Sequence, residues 1–229
     1  MYFSLITPAE GRERDAAHEW TREPYAEHQW LWRLFAAPPG TPRDFLFRRS
    51  ETGGLPRFHV VSRRVPQPAG TAWCIQTRPY EPCLAQGDRL QFELRANPSV
   101  RHGRDGKSKR HDVVMEAKKR TLAESGLSRW SERPNEHKPA LYALVQQSCT
   151  HWLAQRGARL GFEFDEQRLV AEAYQQHGDK TGRKLQYSSV DLSGELTVTD
   201  PKAFTTALYE GVGHAKAFGC GLLLVRQAR

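Results

Sequence analysis

The chain has 229 residues and a mass of 26.1 kDa, enough for a full hydrophobic core in one large domain or two small ones. Hydrophobic residues make up 38% and aromatic residues 10%, which excludes an intrinsically disordered chain. No apolar run approaches the roughly 20 residues of a membrane-spanning helix. The start of the chain has no basic region and no small-residue cleavage site, and none of the four cysteines forms a CxxC pair. We therefore expect a cytoplasmic protein with free thiols and no zinc-ribbon or thioredoxin-type site.

Charge is the first feature that points to a partner. Lysine and arginine number 34 against 26 acidic residues, a net charge of +8 at pH 7 and a pI of about 9.5. Such a balance favours a polyanionic ligand, of which nucleic acid is the commonest. The alternative is a basic surface without a specific partner.

The first part of the chain predicts a strand, a helix and three further strands. The strand lies in MYFSLITP, and the polar residues 9–23 after it predict a loop. A helix is expected from Pro24, because proline is tolerated in a first helical turn and apolar residues then recur at helical spacing as far as Phe35. A Pro-Pro-Gly sequence ends it. Strands follow in RDFLFRRS, RFHVVSRRV and TAWCIQT, with a turn at Thr52-Gly53-Gly54 between the first two.

The second part repeats this pattern with more charge. A strand in RLQFELRANP precedes a basic stretch at 101–120, and residues 121–138 predict a loop or weak helix. An amphipathic helix follows in ALYALVQQSCTHWLAQRGARLGF. Two strands, QRLVAEAYQQ and KLQYSSVDLSGELTVTD, flank the turn HGDKTGRK. A last helix begins at Pro201, and GLLLVRQ predicts the final strand.

This order predicts an α+β protein with two tandem βαββαβ units, each an antiparallel sheet with helices on one face. The first unit shows no clear second helix. The predicted domains are 1–86 and 87–229.

Tyr25 and His28 are the first candidate site residues. They lie three positions apart on the predicted first helix, so their side chains share a face. Histidine titrates nearest neutral pH and can move protons, and a tyrosine hydroxyl can orient a group or stabilise an oxyanion. The competing interpretation is that both residues pack the apolar face of the helix.

A glycine-rich segment, GVGHAKAFGCG, is the second candidate. Glycines let a backbone approach a phosphate, and a lysine among exposed N–H groups attracts anions. The segment is neither a Walker A loop nor a dinucleotide fingerprint, and a tight structural turn is the alternative. The residues concerned are Gly211, Gly213, Lys216, Gly219 and Gly221.

Basic residues at two places are the third candidate. Flexible lysines and arginines spaced by glycine and serine suit contacts to a nucleic-acid backbone, and a solvated loop is the alternative. The first set is Arg101, Arg104, Lys107, Lys109 and Arg110, and the second is the turn with Arg183 and Lys184. The sequence shows no HExxH motif, carboxylate cluster or Cys/His metal spacing, so neither a metal nor another cofactor is predicted.

Several of these segments together resemble the CasE family, the CRISPR repeat-processing endoribonucleases of type I-E Cascade within the RAMP superfamily. They are MYFSLIT, PYAEHQWLWRLF followed by RDFLFR, LRANP at 94–98, and GVGHAKAFGCGLL. The resemblance covers nearly the whole chain in the same order. It implies two tandem ferredoxin-like, RRM-like domains.

The resemblance also implies roles for the candidate residues. His28 and Tyr25 match the family's catalytic pair, residues 211–221 match its glycine-rich loop, and His177–Lys184 match its basic hairpin. Gln29 follows His28 where some members have a basic residue, and His214 stands where proline or arginine is common. The cation that stabilises the transition state is therefore unassigned, with Lys216 and the basic residues at 107–110 as candidates.

The implied activity is cleavage of precursor CRISPR RNA at each repeat hairpin by attack of the 2′-hydroxyl, without a metal. The enzyme would stay on its product beside other Cascade subunits, away from any membrane. The main alternative is a non-catalytic RNA-binding subunit with the same fold. A more distant one is a DNA-binding or scaffolding basic protein.

Overall fold

The N-terminal part of the chain forms a four-stranded sheet in a computed structural model, which describes residues 1–20, 24–38, 40–104, 107–178 and 186–228. The elements are β1 (Tyr2–Pro8), α1 (Glu13–Glu19), α2 (Pro24–Trp32), β2 (Phe45–Thr52), β3 (Leu55–Ser62) and β4 (Trp73–Pro79). The strand order is β2-β3-β1-β4, with all neighbours antiparallel. No helix joins β3 to β4, as the sequence predicted.

Helix α1 corrects the predicted loop at 9–23. Its seven residues are too few for a visible helical period, but Ala16 is buried, and Trp20 directly after the helix is buried with it. Glu13 and Asp15 lie in its first turn and His18 in its last, an arrangement that complements the helix dipole. The helix is therefore stabilised by charged residues placed favourably at its two ends and by burial of Ala16 and Trp20.

The second sheet consists of the strands β5 (Arg89–Ala96), β8 (Phe162–Phe164), β9 (Val170–Gly178), β10 (Gln186–Val198) and β11 (Leu223–Gln227). Its order is β11-β5-β10-β8, and β9 also pairs with β10. Strand β10 is long enough to pair with β9 along its first half and with β8 near its end. Helix α4 (Leu141–Leu160) and helix α5 (Pro201–Glu210) supply the two helices of a βαββαβ unit.

The described residues of the basic stretch at 101–120 form strands and a helix. They do not form the solvated loop that was the alternative interpretation of this stretch. The stretch forms a two-stranded hairpin of β6 (Ser99–Arg104) and β7 (Lys107–Asp112), followed by helix α3 (Val113–Glu124). Asp112 caps this helix, because its Oδ1 accepts a hydrogen bond from the Met115 backbone N–H at 2.8 Å. Two 3₁₀ turns, Trp130–Glu132 and Asn135–His137, lie in the segment predicted as a loop or weak helix.

Both main sheets share one strand order. Among β1 to β4, and likewise among β5, β8, β10 and β11, the first and third strands are central and the second and last are at the edges, which is the ferredoxin-like arrangement. Strand β9 is an addition to the second sheet. The predicted fold class, two tandem ferredoxin-like units with antiparallel sheets, is confirmed.

The described residues fall into two compact units. Met1–Leu84 group with Thr205–Leu223, and Ala85–Phe204 group with Leu224–Arg229. This grouping differs from the predicted 87–229 domain because it assigns the glycine-rich segment to the first unit. The extents of the two domains stay a prediction.

Candidate functional site

Helix α2 presents His28 from the edge of the first unit's core. Leu31 and Phe35 are fully buried, and Phe35 stacks on Phe45 of β2 with ring centroids 4.5 Å apart. His28 is half-buried and packs against Phe45, at 6.4 Å between centroids, and against Trp32, at 6.2 Å. The two interpretations left open by the sequence, a packing face and a reactive face, are therefore compatible. The apolar residues of α2 pack into the core, and His28 on the same face remains partly exposed.

A hydrogen bond fixes the tautomer of His28. The indole N–H of Trp32, one turn later on the helix, donates to His28 Nε2 at 3.1 Å. Since Nε2 accepts, the proton of the neutral ring sits on Nδ1. Nδ1 is buried and has no hydrogen-bond partner in the described part of the chain. The ring thus carries an N–H group that no described protein atom satisfies.

The surroundings of His28 favour its neutral form. Burial lowers the pKa of His28, and the nearby positive charge of Arg43 lowers it further. The ring is therefore neutral at pH 7, which is the protonation state of a general base.

A buried ion pair fastens helix α2 to β2. Glu27 is only 6% exposed, and its Oε2 lies 3.2 Å from Arg49 Nη1 on β2. The Arg49 guanidinium also lies over the Trp20 ring, 5.3 Å from its centroid. Because Glu27 directly precedes His28, this pair sets the position of the histidine relative to the sheet.

Arg43 is a residue that the sequence analysis missed. It stands two positions before β2, in a segment with no periodic pattern, and its side chain is partly buried. Burial lowers its pKa, and its buried Nη1 has no hydrogen-bond partner in the described part of the chain. A single arginine at a strand start carries no signal in the sequence, so only the fold reveals its position beside His28.

The glycine-rich segment packs closely against β2 and against itself. Gly219 has φ +76°, and a Cβ there would lie 3.2 Å from the Phe47 ring. Gly221 has φ +94°, and a Cβ there would lie 3.1 Å from Lys216 Cγ. These two glycines leave room for protein atoms, so a structural turn accounts for their presence. A contact of Gly211, Gly213, Gly219 or Gly221 with RNA stays a prediction.

Lys216 occupies a defined position in this segment. Its Nζ donates a hydrogen bond to the Glu210 carbonyl oxygen. Burial lowers the pKa of Lys216, and the charge of Arg43 lowers it further. The structure thus brings His28 and Lys216 into one unit, with Arg43 close enough to act on both.

The hairpin of β6 and β7 belongs to the second unit and displays exposed cations. Arg101 pairs across the hairpin with Arg110, and both side chains are exposed, as is that of Lys109. Of its two histidines, His102 lies 2.6 Å from the Glu116 carboxylate. Three of the predicted cations, Arg101, Lys109 and Arg110, are therefore exposed together on one hairpin.

The LRANP motif anchors the base of this hairpin. Arg95 donates to both carboxylate oxygens of Asp191 on β10, at 2.9 and 2.8 Å. Asn97 is buried, donates to the Ser188 carbonyl oxygen at 2.7 Å and accepts from Ser99 Oγ at 3.1 Å. The motif is thus explained by its structural role at the point where β6 begins.

Some predicted site residues lie outside the described residues. The side chains of Tyr25, Arg104 and Lys107 belong to this group, as do Arg183 and Lys184 entirely. Strand β9 includes the first two residues of the predicted basic turn, His177 and Gly178, and pairs with β10 as far as Gly178 and Gln186. The roles of these five residues stay predictions.

Two kinds of feature are absent from the described residues. None of their helices is long and apolar enough to cross a membrane. Nor do they contain a group of three or more His, Cys, Asp or Glu side chains that could hold a metal ion.

Comparison with known proteins gives consistent results. The chain matches a family model described as "CRISPR associated protein" over residues 1–227. It is 29% identical over 209 residues to the CRISPR system Cascade subunit CasE of Escherichia coli K12, covering 90% of this chain and 94% of that protein. It is 28% identical over 229 residues to the CRISPR-associated endoribonuclease Cse3 of Thermus thermophilus, covering 96% of both.

Solved structures share the fold along the whole chain. A structure of CRISPR endoribonuclease Cse3 bound to a 19-nucleotide RNA has a TM-score of 0.67 at 23% identity, covering 98% of both chains. The CRISPR-associated protein Cas6e from Escherichia coli K-12 has a TM-score of 0.59 at 23% identity, covering all of both chains. With the tandem ferredoxin-like sheets and a family model that spans 227 residues, the resemblance drawn from the sequence is confirmed, and the chain belongs to the CasE family of CRISPR-associated proteins.

Proposed function

We propose that the protein is an endoribonuclease that cleaves precursor CRISPR RNA at the repeat hairpin without a metal and remains bound to the product as a Cascade subunit. The family supports this, since similar proteins are named a Cascade subunit and an endoribonuclease. The observation that carries the proposal is His28, a half-buried histidine whose pKa is lowered beside the cation Arg43.

RNA supplies its own nucleophile for this reaction. The 2′-oxygen forms a bond to the adjacent phosphorus while the bond from phosphorus to the 5′-oxygen breaks. The proton of the 2′-hydroxyl passes to a base, and a proton is delivered to the departing 5′-oxygen. The products are a 2′,3′-cyclic phosphate and a 5′-hydroxyl.

His28 acts as the proton-transfer residue in this scheme. Its neutral ring has one nitrogen that can accept a proton, Nε2, which in the free protein accepts the Trp32 N–H instead. For Nε2 to act as the base, the hydrogen bond from Trp32 must break when RNA binds. Tyr25, three residues earlier on the same helix, orients the nucleophile or stabilises developing charge.

Affinity comes mainly from the second unit. An A-form stem is held through its shape and phosphates, and the exposed cations Arg101, Lys109 and Arg110 suit such contacts. We place the protein in the cytoplasm, where the precursor RNA and the other Cascade subunits would be met.

One experiment tests the catalytic proposal against a non-catalytic RNA-binding subunit. Purified protein is incubated with its cognate repeat RNA in EDTA, and the termini of the products are identified. We expect a single cut with a 2′,3′-cyclic phosphate and a 5′-hydroxyl. Tight hairpin binding without any cut would favour the non-catalytic alternative, and equal affinity for duplex DNA would favour a general nucleic-acid-binding protein.

A further inference from the structure

A cavity of about 430 Å³ opens in the first unit next to the packing partner of His28. It is lined by residues 42–46, which lead into β2, by Met1 and Arg63, and by Tyr209, Glu210 and Lys216. Phe45 lines the cavity and is also the ring on which His28 packs. The Phe45 ring therefore contacts the candidate catalytic histidine and also lines the cavity.

The acidic residues of the cavity are already paired. Asp44 accepts from Arg64 through both carboxylate oxygens, at 2.6 and 2.9 Å. Glu210 pairs with Arg63 at 3.2 Å. The two remaining side-chain cations of the lining, Arg43 and Lys216, form no ion pair within 4 Å of a carboxylate in the described part of the chain, although the Glu210 carboxylate acts on Lys216 from farther away. The cavity thus holds two cations that are not directly paired with a described acid, and Arg43 is the less compensated of the two.

Both cations are also partly removed from water. The buried Nη1 of Arg43 lacks a hydrogen-bond partner in the described residues, and Lys216 Nζ donates to one backbone carbonyl oxygen while retaining further protons. Burial lowers the pKa of each, and the charge of Arg43 lowers that of Lys216 further, against a smaller opposing effect of Glu210. Two desolvated like charges repel each other, and an anion between them relieves that repulsion and satisfies the free donors.

We propose that this cavity binds the phosphate of the RNA linkage that is cut, and that Arg43 is the catalytic residue that offsets the charge of the phosphorane. The assignment rests on the proposed function. Attack by the deprotonated 2′-oxygen converts a phosphodiester monoanion into a dianionic phosphorane, so a cation fixed at this point stabilises the transition state more than the ground state. The resemblance left this cation unassigned.

Arg43 suits this role better than Lys216 does. A guanidinium offers a planar set of donors that can contact two phosphate oxygens, whereas an ammonium acts as a point charge. Lys216 is tied to the Glu210 carbonyl oxygen, and Gly221 leaves the space that its side chain occupies. Lys216 therefore supplies a fixed second charge at the cavity wall.

Binding of inorganic phosphate in the absence of RNA tests the cavity directly. The signal of the His28 ring is followed by NMR against pH, with and without phosphate, and assigned with H28A. We expect phosphate to raise the pKa of His28, because it offsets the charge of Arg43. Arg43→Met keeps the apolar stem of the side chain. It is expected to raise the pKa of His28 by itself and to abolish the effect of phosphate. The matched control Arg12→Ala removes an exposed cation paired with Asp15 and should behave as wild type.

Single-turnover cleavage then tests the catalytic part. Loss of an electrostatic transition-state contact costs about 10²–10³ in rate, so Arg43→Met should lower the rate at saturating RNA by that factor. Arg43→Lys should recover part of it. Thermal melting of each variant shows whether it folds, and since the Arg43 guanidinium has no carboxylate partner among the described residues, we expect wild-type stability.

The outcomes separate this proposal from the function on which it rests. If wild-type protein binds phosphate through Arg43 but no preparation cuts repeat RNA, the nuclease function is wrong and the anion cavity stands. If the His28 signal is indifferent to phosphate, or Arg43→Met responds to phosphate as wild type does, the cavity is not an anion site. If folded Arg43→Met cleaves at the wild-type rate, Arg43 has no catalytic role.

Discussion

The α2–β2 region of the first unit and the β6–β7 hairpin of the second use positive charge in opposite ways. The first holds His28, Arg43 and Lys216 in partly buried positions, where burial lowers the pKa of each. On the hairpin, the described cations project into solvent. Charge that is desolvated acquires altered acid–base behaviour, while exposed charge provides attraction that salt screens.

This difference suggests how the two tasks are divided. The sequence is most basic at 101–120, but a dense exposed cluster is suited to affinity rather than to proton transfer. The three partly buried groups are scattered over 189 positions of the chain, from His28 to Lys216, and only the fold brings them into one unit. We therefore expect substitutions in the first region to change the rate at saturation, and those in the second to change affinity.

The largest effect is expected from His28→Ala. Loss of a proton-transfer group typically costs about 10²–10⁴ in rate, so single-turnover cleavage should fall by that factor. The affinity for the repeat RNA, measured by filter binding, should stay within several-fold of wild type because the exposed cations of the β6–β7 hairpin are unchanged. A variant that cleaves at near the wild-type rate would show that the histidine only packs the helix.

The pH profile refines this assignment. A base must be neutral, and burial together with Arg43 lowers the pKa of His28 below its ordinary value of about 6.5. The rate should therefore rise with pH through a midpoint below about 6.5 and be level at pH 7. The neutral form is also the one that the fold favours, so the contribution of His28 to stability is present above about pH 6.5 and is lost as the pH falls toward the lowered pKa.

Removal of positive charge from the β6–β7 hairpin should have the opposite effect to His28→Ala, because it should weaken RNA binding and leave the cleavage rate at saturation unchanged. Lys109→Ala combined with Arg110→Ala removes two exposed cations, and each phosphate interaction that disappears should reduce the slope of log affinity against log salt by about 0.7–0.9. The rate at saturating RNA should be unchanged. The exposed pair Arg12 and Asp15 offers a control, because Arg12→Ala removes a cation outside the hairpin. An unaltered slope in the double variant would place the hairpin away from RNA.

A smaller effect is expected from Trp32→Phe. The substitution removes the N–H that holds His28 Nε2 but keeps an aromatic ring against Phe45, which Trp32 meets edge-on at 5.3 Å. A net hydrogen bond is worth about 0.5–1.5 kcal/mol, so the change in cleavage rate should be at most about tenfold. Nitrogen-15 NMR should show that the ring is no longer confined to the Nδ1–H tautomer. An unchanged tautomer would mean that another group orients the histidine.

Much of this architecture could be predicted from the sequence, and the exceptions have physical reasons. The periodic segments of α2 and α4 and of strands β3, β5 and β10 identified the fold class, because each buries one face. Helix α1 and the three-residue strand β8 are too short to show a period. His28 and Lys216 stood out by residue type and motif. Arg43 did not, because its importance depends on burial and on a missing partner, and neither is visible before the chain folds.

The smallest effect separates the two interpretations of the glycine-rich segment. Gly219→Ala places a Cβ 3.2 Å from the Phe47 ring at φ +76°, whereas Gly53→Ala at φ +60° meets nothing within 4 Å. Both substitutions carry the left-handed backbone penalty of roughly 1–2 kcal/mol, so their difference in urea unfolding measures packing alone. We expect Gly219→Ala to be less stable than Gly53→Ala by about 1 kcal/mol, which is at the low end of overpacking costs. We expect its affinity for the repeat RNA to be unchanged. Equal stabilities with weaker RNA binding by Gly219→Ala would instead show that this glycine faces the RNA, and that the segment belongs with the exposed hairpin as a binding surface.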